Sequence, residues 1–366
     1  MGQGLLHDIL ELGVQSNASD WHIKENSPVN LRIEGKLVDT DFVPDTDLMK
    51  NLIQELAKGE DELLSKFYKT GDLDISYVEE NVGRFRVNVH MQRGGSAITM
   101  RHVKSKIMNF EELGLPSIIR EIAEEARGIV IICGTTGSGK STTLAAMLEH
   151  INMTQRKHII TVEDPIEYEF FDKKSFFEQR EVGLDTSSFY SALVHALRQD
   201  PDIIMVGEMR DKESFEAALQ AADTGHMVLT TLHSSNASQA VNRILDFYEH
   251  AEQAPIRDAL ALNLKATISQ RLLQRAFGGG VVPAIEIMIN TPMVRKLLQE
   301  NHLDKLSQAI GSKTEGMQSF NHSLLELINS GDITEEDALI ASSNPEALKM
   351  NLQGIFLDSE SHILNN

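Results

Sequence analysis

Beyond Arg127 the chain is marked by short, nearly unbroken apolar runs: "GIVIIC" (128–133), "HIITV" (158–162), "DIIMV" (202–206) and "HMVLTTL" (226–232). They lack the alternation of a strand with one wet face and predict strands covered on both faces, as in a parallel sheet between layers of helix. With helical stretches between them, the expectation is a doubly wound α/β domain. The first hundred residues are patterned differently. "VNLRIEGKLVD" alternates around a glycine, and "GRFRVNVHMQRGGSAITMRHV" reads as two strands about a Gly-Gly hairpin. Residues 45–58 place Leu48, Leu52, Ile53 and Leu56 at helical spacing, which gives one clear helix in a small α+β domain. Between the two textures, "KSKIMNFEELGLPSI" (104–118) mixes Lys, Gly and Pro without a period and reads as a linker between domains at 1–103 and 119–366. From about residue 291, "INTPMVRKLLQE" onward, the pattern turns helical. Leu324, Leu325, Leu327 and Ile328 share one segment, and "DITEEDALI" opens another behind a threonine cap.

Composition narrows the functions open to such a chain. Its 366 residues, 41% hydrophobic and 24% charged, suffice for two domains with full cores. Lys+Arg 34 against Asp+Glu 54 leaves a net charge of −20, and no basic cluster breaks it, so nucleic acid and anionic lipid are disfavoured partners. The only cysteine, Cys133, lies inside an apolar run, which excludes an intramolecular disulfide and a CxxC zinc site. The start "MGQGLLHDILELGVQSNASD" lacks a signal peptide's basic and apolar regions, and no stretch approaches the roughly 20 apolar residues of a membrane span. The expectation is a cytoplasmic protein without direct membrane insertion, reaching a membrane only through a partner.

The chemistry is concentrated in "GTTGSGKST" (134–142), which follows the strand "GIVIIC" and opens the helix "STTLAAMLEHI". This is GxxxxGK[ST] in the one setting where the motif has a mechanism. Glycines at 134, 137 and 139, with Thr135, Thr136 and Ser138 between them, let backbone N–H groups turn inward around phosphate oxygens at a helix N-terminus. Lys140 then reaches the β- and γ-phosphates of ATP, and the Ser141 hydroxyl, followed by Thr142, ligates Mg²⁺.

Such a loop needs carboxylates, and two strand ends offer them. "DIIMVGEMRD" places Glu208 at the end of a buried strand, suited to hold the magnesium shell through water. "ITVEDPIEYEF" ends another strand with Glu163, Asp164 and Glu167. These are open to a bland reading as a solvated loop and to a sharper one as a general base acting on water. In "DTGHMVLTTLHSSN" two histidines bracket a strand. Seven residues at 3.3 Å each put His226 and His233 roughly 23 Å apart on opposite faces, so no single metal joins them. His233 falls on the phosphate side, as a sensor of the γ-phosphate or attacking water. His226, after Gly225, falls at the opposite end, with a structural or contact role.

In order and spacing, "GTTGSGKSTT", "ITVEDPIEYEF", "LRQDPDIIMVGEMRD" and "ADTGHMVLTTLHSSNA" resemble the Walker A, Asp box, Walker B and His box of the secretion ATPase superfamily. Within it the chain resembles the PilT/PilU branch of type IV pilus retraction ATPases. "SNASDWHIKENSPVNLRIEGKL", "EIMINTPMVRKLLQE" and "GMQSFNHSLLELINSGDITEEDAL" extend the likeness over nearly the whole length. The resemblance implies a PAS-like N-terminal α+β domain followed by a RecA-like P-loop ATPase domain with C-terminal helices. It implies a homo-hexamer with nucleotide held between domains, working on an inner-membrane platform protein beside a possible paralogous ATPase. It makes Glu167 the catalytic carboxylate, Glu208 the Walker B glutamate, and both His226 and His233 functional. Arg86 and Arg101 match the arginines that close over phosphate, with a solvated strand face as the alternative; Arg198 and Arg210 are further candidates for that region. Two departures stand out: Trp21 replaces the usual Leu of "ASDLH", and "MVRKLLQE" is a loose form of "AIRNLIRE". "GEMRD" leans toward PilT and "LHSSNASQAVNRILDFY" toward PilU, so both paralogues stay open. The expected function is an ATP-driven retraction motor, the alternatives an assembly or secretion ATPase or an accessory ATP-binding ring.

Overall fold

The computed structural model describes residues 4–33, 35–103 and 105–355. By internal contacts the chain divides into Met1–Lys106 with Glu167–Glu169, and Ile107–Ile166 with Phe170–Asn366.

The first unit runs α1 (Leu5–Gln15), β1 (Ala18–Lys24), β2 (Asn30–Ile33), β3 (Lys36–Asp39), α2 (Thr46–Leu56), α3 (Asp61–Thr70), β4 (Asp72–Glu79), β5 (Gly83–Gln92) and β6 (Gly95–His102). Among the described residues its strands form one antiparallel sheet in the order β3-β2-β1-β6-β5-β4. The hairpin turn sits at Arg93 and Gly94, with φ 49° and 82°, and Gly95 already pairs with Gln92. Positive φ at both central residues matches the twist of the flanking strands. Three helices stand where the pattern predicts one. Helix α3 was hidden because it fully buries only Phe67, and α1 because the apolar residues of "LLHDILELGVQ" read first as a question about targeting. The structure also accounts for Trp21. The ring is fully buried, its Nε1 donates to Ile9 O at 3.0 Å, and it meets Phe85 edge-on at 5.3 Å. A Cβ on Gly13 would lie 2.2 Å from the indole, so the larger side chain is housed where α1 has none.

The second unit contains α4 (Ile118–Ala123), β7 (Gly128–Cys133), α5 (Lys140–Thr154), β8 (His158–Glu163), β9 (Phe176–Glu181), α6 (Phe189–Ala196), β10 (Ile203–Val206), α7 (Lys212–Asp223) and β11 (Met227–Leu232). It continues with α8 (Ala237–Leu245), α9 (Gln253–Asn263), β12 (Leu264–Gln274), β13 (Val281–Ile289), α10 (Pro292–Gln299), α11 (Leu306–Gly311), α12 (Phe320–Asn329), α13 (Glu335–Ala341) and α14 (Pro345–Leu352). The sheet order is β13-β12-β7-β11-β10-β8-β9. The four apolar runs lie side by side as the parallel strands β7, β11, β10 and β8, every residue of β7, β11 and β10 buried. The sheet is not wholly parallel, because β13 pairs antiparallel with β12. Neither β12 nor β9 was legible as an apolar run: β12 carries Ser269, Gln270 and Arg271 in its middle, and β9 at the other edge reads "FFEQRE". Helices follow from Pro292. Thr334 caps α13 through the Asp337 N–H at 3.1 Å, and Phe320, Leu324, Ile333, Ala338 and Leu348 close a small core over Leu273, Val282 and Ala284.

Candidate nucleotide site

The phosphate-binding loop leaves the C-terminal end of β7 and enters α5 at Lys140. Two of its glycines are obligatory for different reasons. At Gly134 a Cβ would meet the Gln270 carbonyl oxygen at 2.7 Å, and Gly139 combines φ 87° with a would-be contact of 2.9 Å to Gln270 Nε2. Thr135, Thr136 and Gly137 form the exposed rim, Ser138 is buried, and Ser141 and Thr142 are half-buried in the first turn of α5. Lys140 is buried, and its Nζ donates to Gly134 O at 2.9 Å and Thr135 O at 3.0 Å. The lysine therefore folds back over the loop it is meant to serve, holding its cationic end on the Gly134 and Thr135 carbonyls.

Beside it the loops after β8, β10 and β11 are tied by charge. Glu208 Oε2 accepts from Arg210 Nε at 2.9 Å, and Glu208 Oε1 lies 3.3 Å from His233 Nε2. Arg210 reaches on to Asp164 at 3.4 Å. The chain Asp164–Arg210–Glu208–His233 thus runs across three strand ends. Beneath it, Thr231 Oγ1 donates to Gly207 O at 2.6 Å and Met209 N to Thr231 O at 3.1 Å, fixing the Glu208 loop against β11. Hydrogen bonding to Glu208 is the leading reason why the Arg210 guanidinium is held above its ordinary pKa.

The three carboxylates of "VEDPIE" separate. Glu163 is buried and accepts from Thr161 Oγ1 at 2.8 Å and Gln179 Nε2 at 3.2 Å, a structural position. Asp164 joins the Arg210 chain, and Glu167 is exposed in the segment that follows Pro165. Arg198 lies between α6 and β10, before the strand whose far end carries Glu208, so of the two flanking arginines only Arg210 is brought to that carboxylate. The histidines lie at opposite ends of β11. His226 Nδ1 is 2.9 Å from Ala221 O and 3.1 Å from Thr224 Oγ1, closing the C-terminus of α7. Among the described residues no group of three or more His, Cys, Asp or Glu is arranged to hold a metal ion.

In the first unit Arg86 and Arg101 are directly opposite on β5 and β6, both exposed. Sequence reasoning missed what stands behind them. Arg101 Nε donates to Asp20 Oδ1 at 2.7 Å, and Asp20 pairs in register with Arg32 on its other side. Three guanidiniums therefore share one row of the sheet with a single buried carboxylate. Burial works against the charge of Asp20, yet the hydrogen bonds from Ser19 and Arg101 hold its pKa below the usual carboxylate range. A signal was present: "ASDWH" sets Asp20 and His22 on the face opposite Trp21 and Ile23.

A glycine-rich loop at the end of a central parallel strand, a lysine in its helix and a carboxylate at a neighbouring strand end define a P-loop nucleotide hydrolase of RecA-like architecture. The chain belongs to the Type II/IV secretion system protein family, which it matches over residues 3–332. It is 39% identical over 341 residues to the type IV pilus retraction ATPase PilT of Pseudomonas aeruginosa, covering 93% of this chain and 98% of that one. To the type IV pilus ATPase PilU of the same organism it is 37% identical over 356 residues, covering 96% and 92%. The crystal structure of the pilus retraction motor PilT with bound ADP superimposes with a TM-score of 0.87 at 41% identity, covering 95% of this chain and 99% of that one. The resemblance read from the four boxes and the fold it implied both hold.

Proposed function

We propose that this chain is a hexameric ATP-hydrolysing motor that powers type IV pilus retraction. The observation that carries the reading is the Glu208 carboxylate, held between His233 and Arg210 beside the P-loop of a chain matched along nearly its whole length by retraction ATPases. Lys140 exchanges its carbonyl partners for the β- and γ-phosphates when ATP enters. The Ser141 hydroxyl and, through water, Glu208 are hard oxygen donors suited to Mg²⁺, which supplies charge neutralisation on the phosphates when bound. Glu167 takes the proton of the attacking water, and His233 reports phosphate occupancy to Glu208. Arg86 and Arg101 serve a neighbouring subunit's nucleotide, and His226 serves a contact or structural role. ATP-bound and ADP-bound sites favour different packings of the ring, which is all that mechanical coupling requires.

The partner is an inner-membrane platform protein, with a paralogous retraction ATPase as a second, and the ring sits in the cytoplasm against that machinery. No helix among the described residues is long and apolar enough to cross a membrane. Deleting the gene and scoring pili and twitching tests the reading: excess non-retracting pili are expected, and bald cells would reassign it to assembly. Mg²⁺-dependent turnover of the purified ring is the biochemical counterpart, and negligible turnover would leave an accessory ring.

A further inference from the structure

Gln270, in the middle of β12 and 2% exposed, joins the phosphate-binding loop to the first turn of α5. Its Nε2 lies 2.6 Å from Ser138 O, and its Oε1 accepts from Thr143 Oγ1 at 2.9 Å. The orientation of the amide follows from its partners. A peptide carbonyl only accepts, so the NH₂ must face Ser138, which leaves the amide oxygen to Thr143. On the next position of the strand, Arg271 points the other way. Its guanidinium donates to Ala341 O and, at 2.8 Å, to Ser343 Oγ, and it stacks 4.1 Å from the Phe320 ring. The strand is therefore pinned by the C-terminal helices at the residue adjacent to the one that grips the loop.

Peptide geometry gives the grip a consequence. In a planar trans peptide the C=O and the following N–H point in opposite directions. Gln270 holds the Ser138 carbonyl, so the Gly139 N–H of the same peptide is directed away from Gln270. Glycine makes this peptide easy to flip, because Gly139 has no Cβ to resist other φ values and already sits at 87°.

We propose that Gln270 is a positioning residue for the nucleotide reaction, locking the Ser138–Gly139 peptide so that the Gly139 N–H is presented to phosphate before ATP arrives. The proposal rests on the reading of this loop as the nucleotide site and adds a residue outside the four boxes. Preorganised donors of this kind avoid reorganisation at the moment of reaction.

The isosteric Gln270→Glu tests it, because a carboxylate repels the Ser138 carbonyl and attracts the flipped N–H. Fluorescent-ADP titration of the intact ring reads affinity without turnover, and steady-state kinetics read KM against kcat. Gln270→Glu is expected to weaken ADP by about tenfold or more and to raise KM more than it lowers kcat. Thr143→Ala, which frees the amide to rotate, is expected to weaken ADP by about threefold, and Thr143→Ser to restore it. The nucleotide-free melting temperature serves as the folding control, and Thr143→Ser against Thr143→Ala keeps the test sharp if Gln270→Glu folds poorly. If wild type binds ADP and Gln270→Glu binds it equally, or if Thr143→Ser behaves as Thr143→Ala does, the proposal is overturned while the nucleotide site stands. If wild type itself fails to bind, the nucleotide reading falls and takes this one with it.

Discussion

The two ends of the parallel strands carry the same residue types and use them in opposite ways. At the C-terminal end, Glu208, Arg210, Asp164 and His233 touch one another at 2.9 to 3.4 Å, and each keeps part of its surface in solvent. At the N-terminal end the polar groups close backbone or pair among themselves, as Lys157 does with Asp202 at 3.3 Å. His226 caps α7, Asp202 accepts from the His158 N–H at 2.9 Å, and Asn263 Nδ2 donates to Asp223 at 2.7 Å and Ala259 O at 3.1 Å. The first arrangement stands where an open α/β sheet binds its ligands. A histidine's neighbours in sequence do not reveal which kind it is; the direction of its strand does.

Lys140→Ala breaks the comparison hardest if it is wrong. Removing the cation held on the loop carbonyls is expected to cut ATP turnover on the order of 10³-fold, measured as phosphate release. Glu208→Gln comes next, at about 10²-fold, because it takes the charge from both Arg210 and His233. Glu167→Gln belongs at the same level or above, with turnover lost and ATP binding spared; unchanged turnover would remove it from the chemistry. The histidines then separate the two ends. His233→Asn is expected to lower kcat about tenfold. His226→Ala is expected to leave kcat within about twofold and to cost about 1 kcal/mol of stability, the worth of a lost hydrogen bond at a helix end. Equal effects of the two on kcat would erase the distinction between the ends.

Much of this division was legible. The four apolar runs mark the central parallel strands, and strand direction alone separates His233 from His226. What stayed hidden had physical reasons. Strands β12 and β13 pair as an antiparallel hairpin, and the "SQR" in the middle of β12 broke the apolar pattern although its serine and glutamine are buried. Gln270 was invisible because its partners lie 127 and 132 residues away. Asp20 stood out only as a polar residue opposite Trp21 and Ile23, and nothing local shows that Arg101, 81 residues on, lands on it. Arg198 and Arg210 looked equivalent as flanks of one strand, yet they fall at its two ends.

The smallest effects come from two buried carboxylates that the folded chain treats in opposite ways. Glu286, on β13, accepts from the Ala237 N–H at 2.9 Å at the start of α8. Burial nevertheless pushes its pKa up, against the help of that hydrogen bond and of Arg271. A carboxyl raised in the folded state contributes stability below the ordinary carboxylate range and loses it as pH rises through the raised value, so wild type bears the cost of the buried charge as the group ionises. Glu286→Gln keeps an acceptor for Ala237 and drops the charge. Its melting temperature is expected to exceed that of wild type at pH 7.5 by about 2–4 °C for each kcal/mol gained, with the gap closing on acidification. Asp20 has the reverse sign. Its lowered pKa adds stability above the ordinary range that is lost as pH falls through the lowered value, so Asp20→Asn is expected to melt below wild type at pH 7.5, with the gap closing only in stronger acid. The sign should follow the company each carboxylate keeps: Asp20 is gripped by a guanidinium and a hydroxyl, whereas Glu286 has one backbone N–H and a more distant Arg271. If both substitutions raise the melting temperature at pH 7.5, burial governs the two sites and the Arg101 hydrogen bond contributes nothing to holding Asp20 ionised.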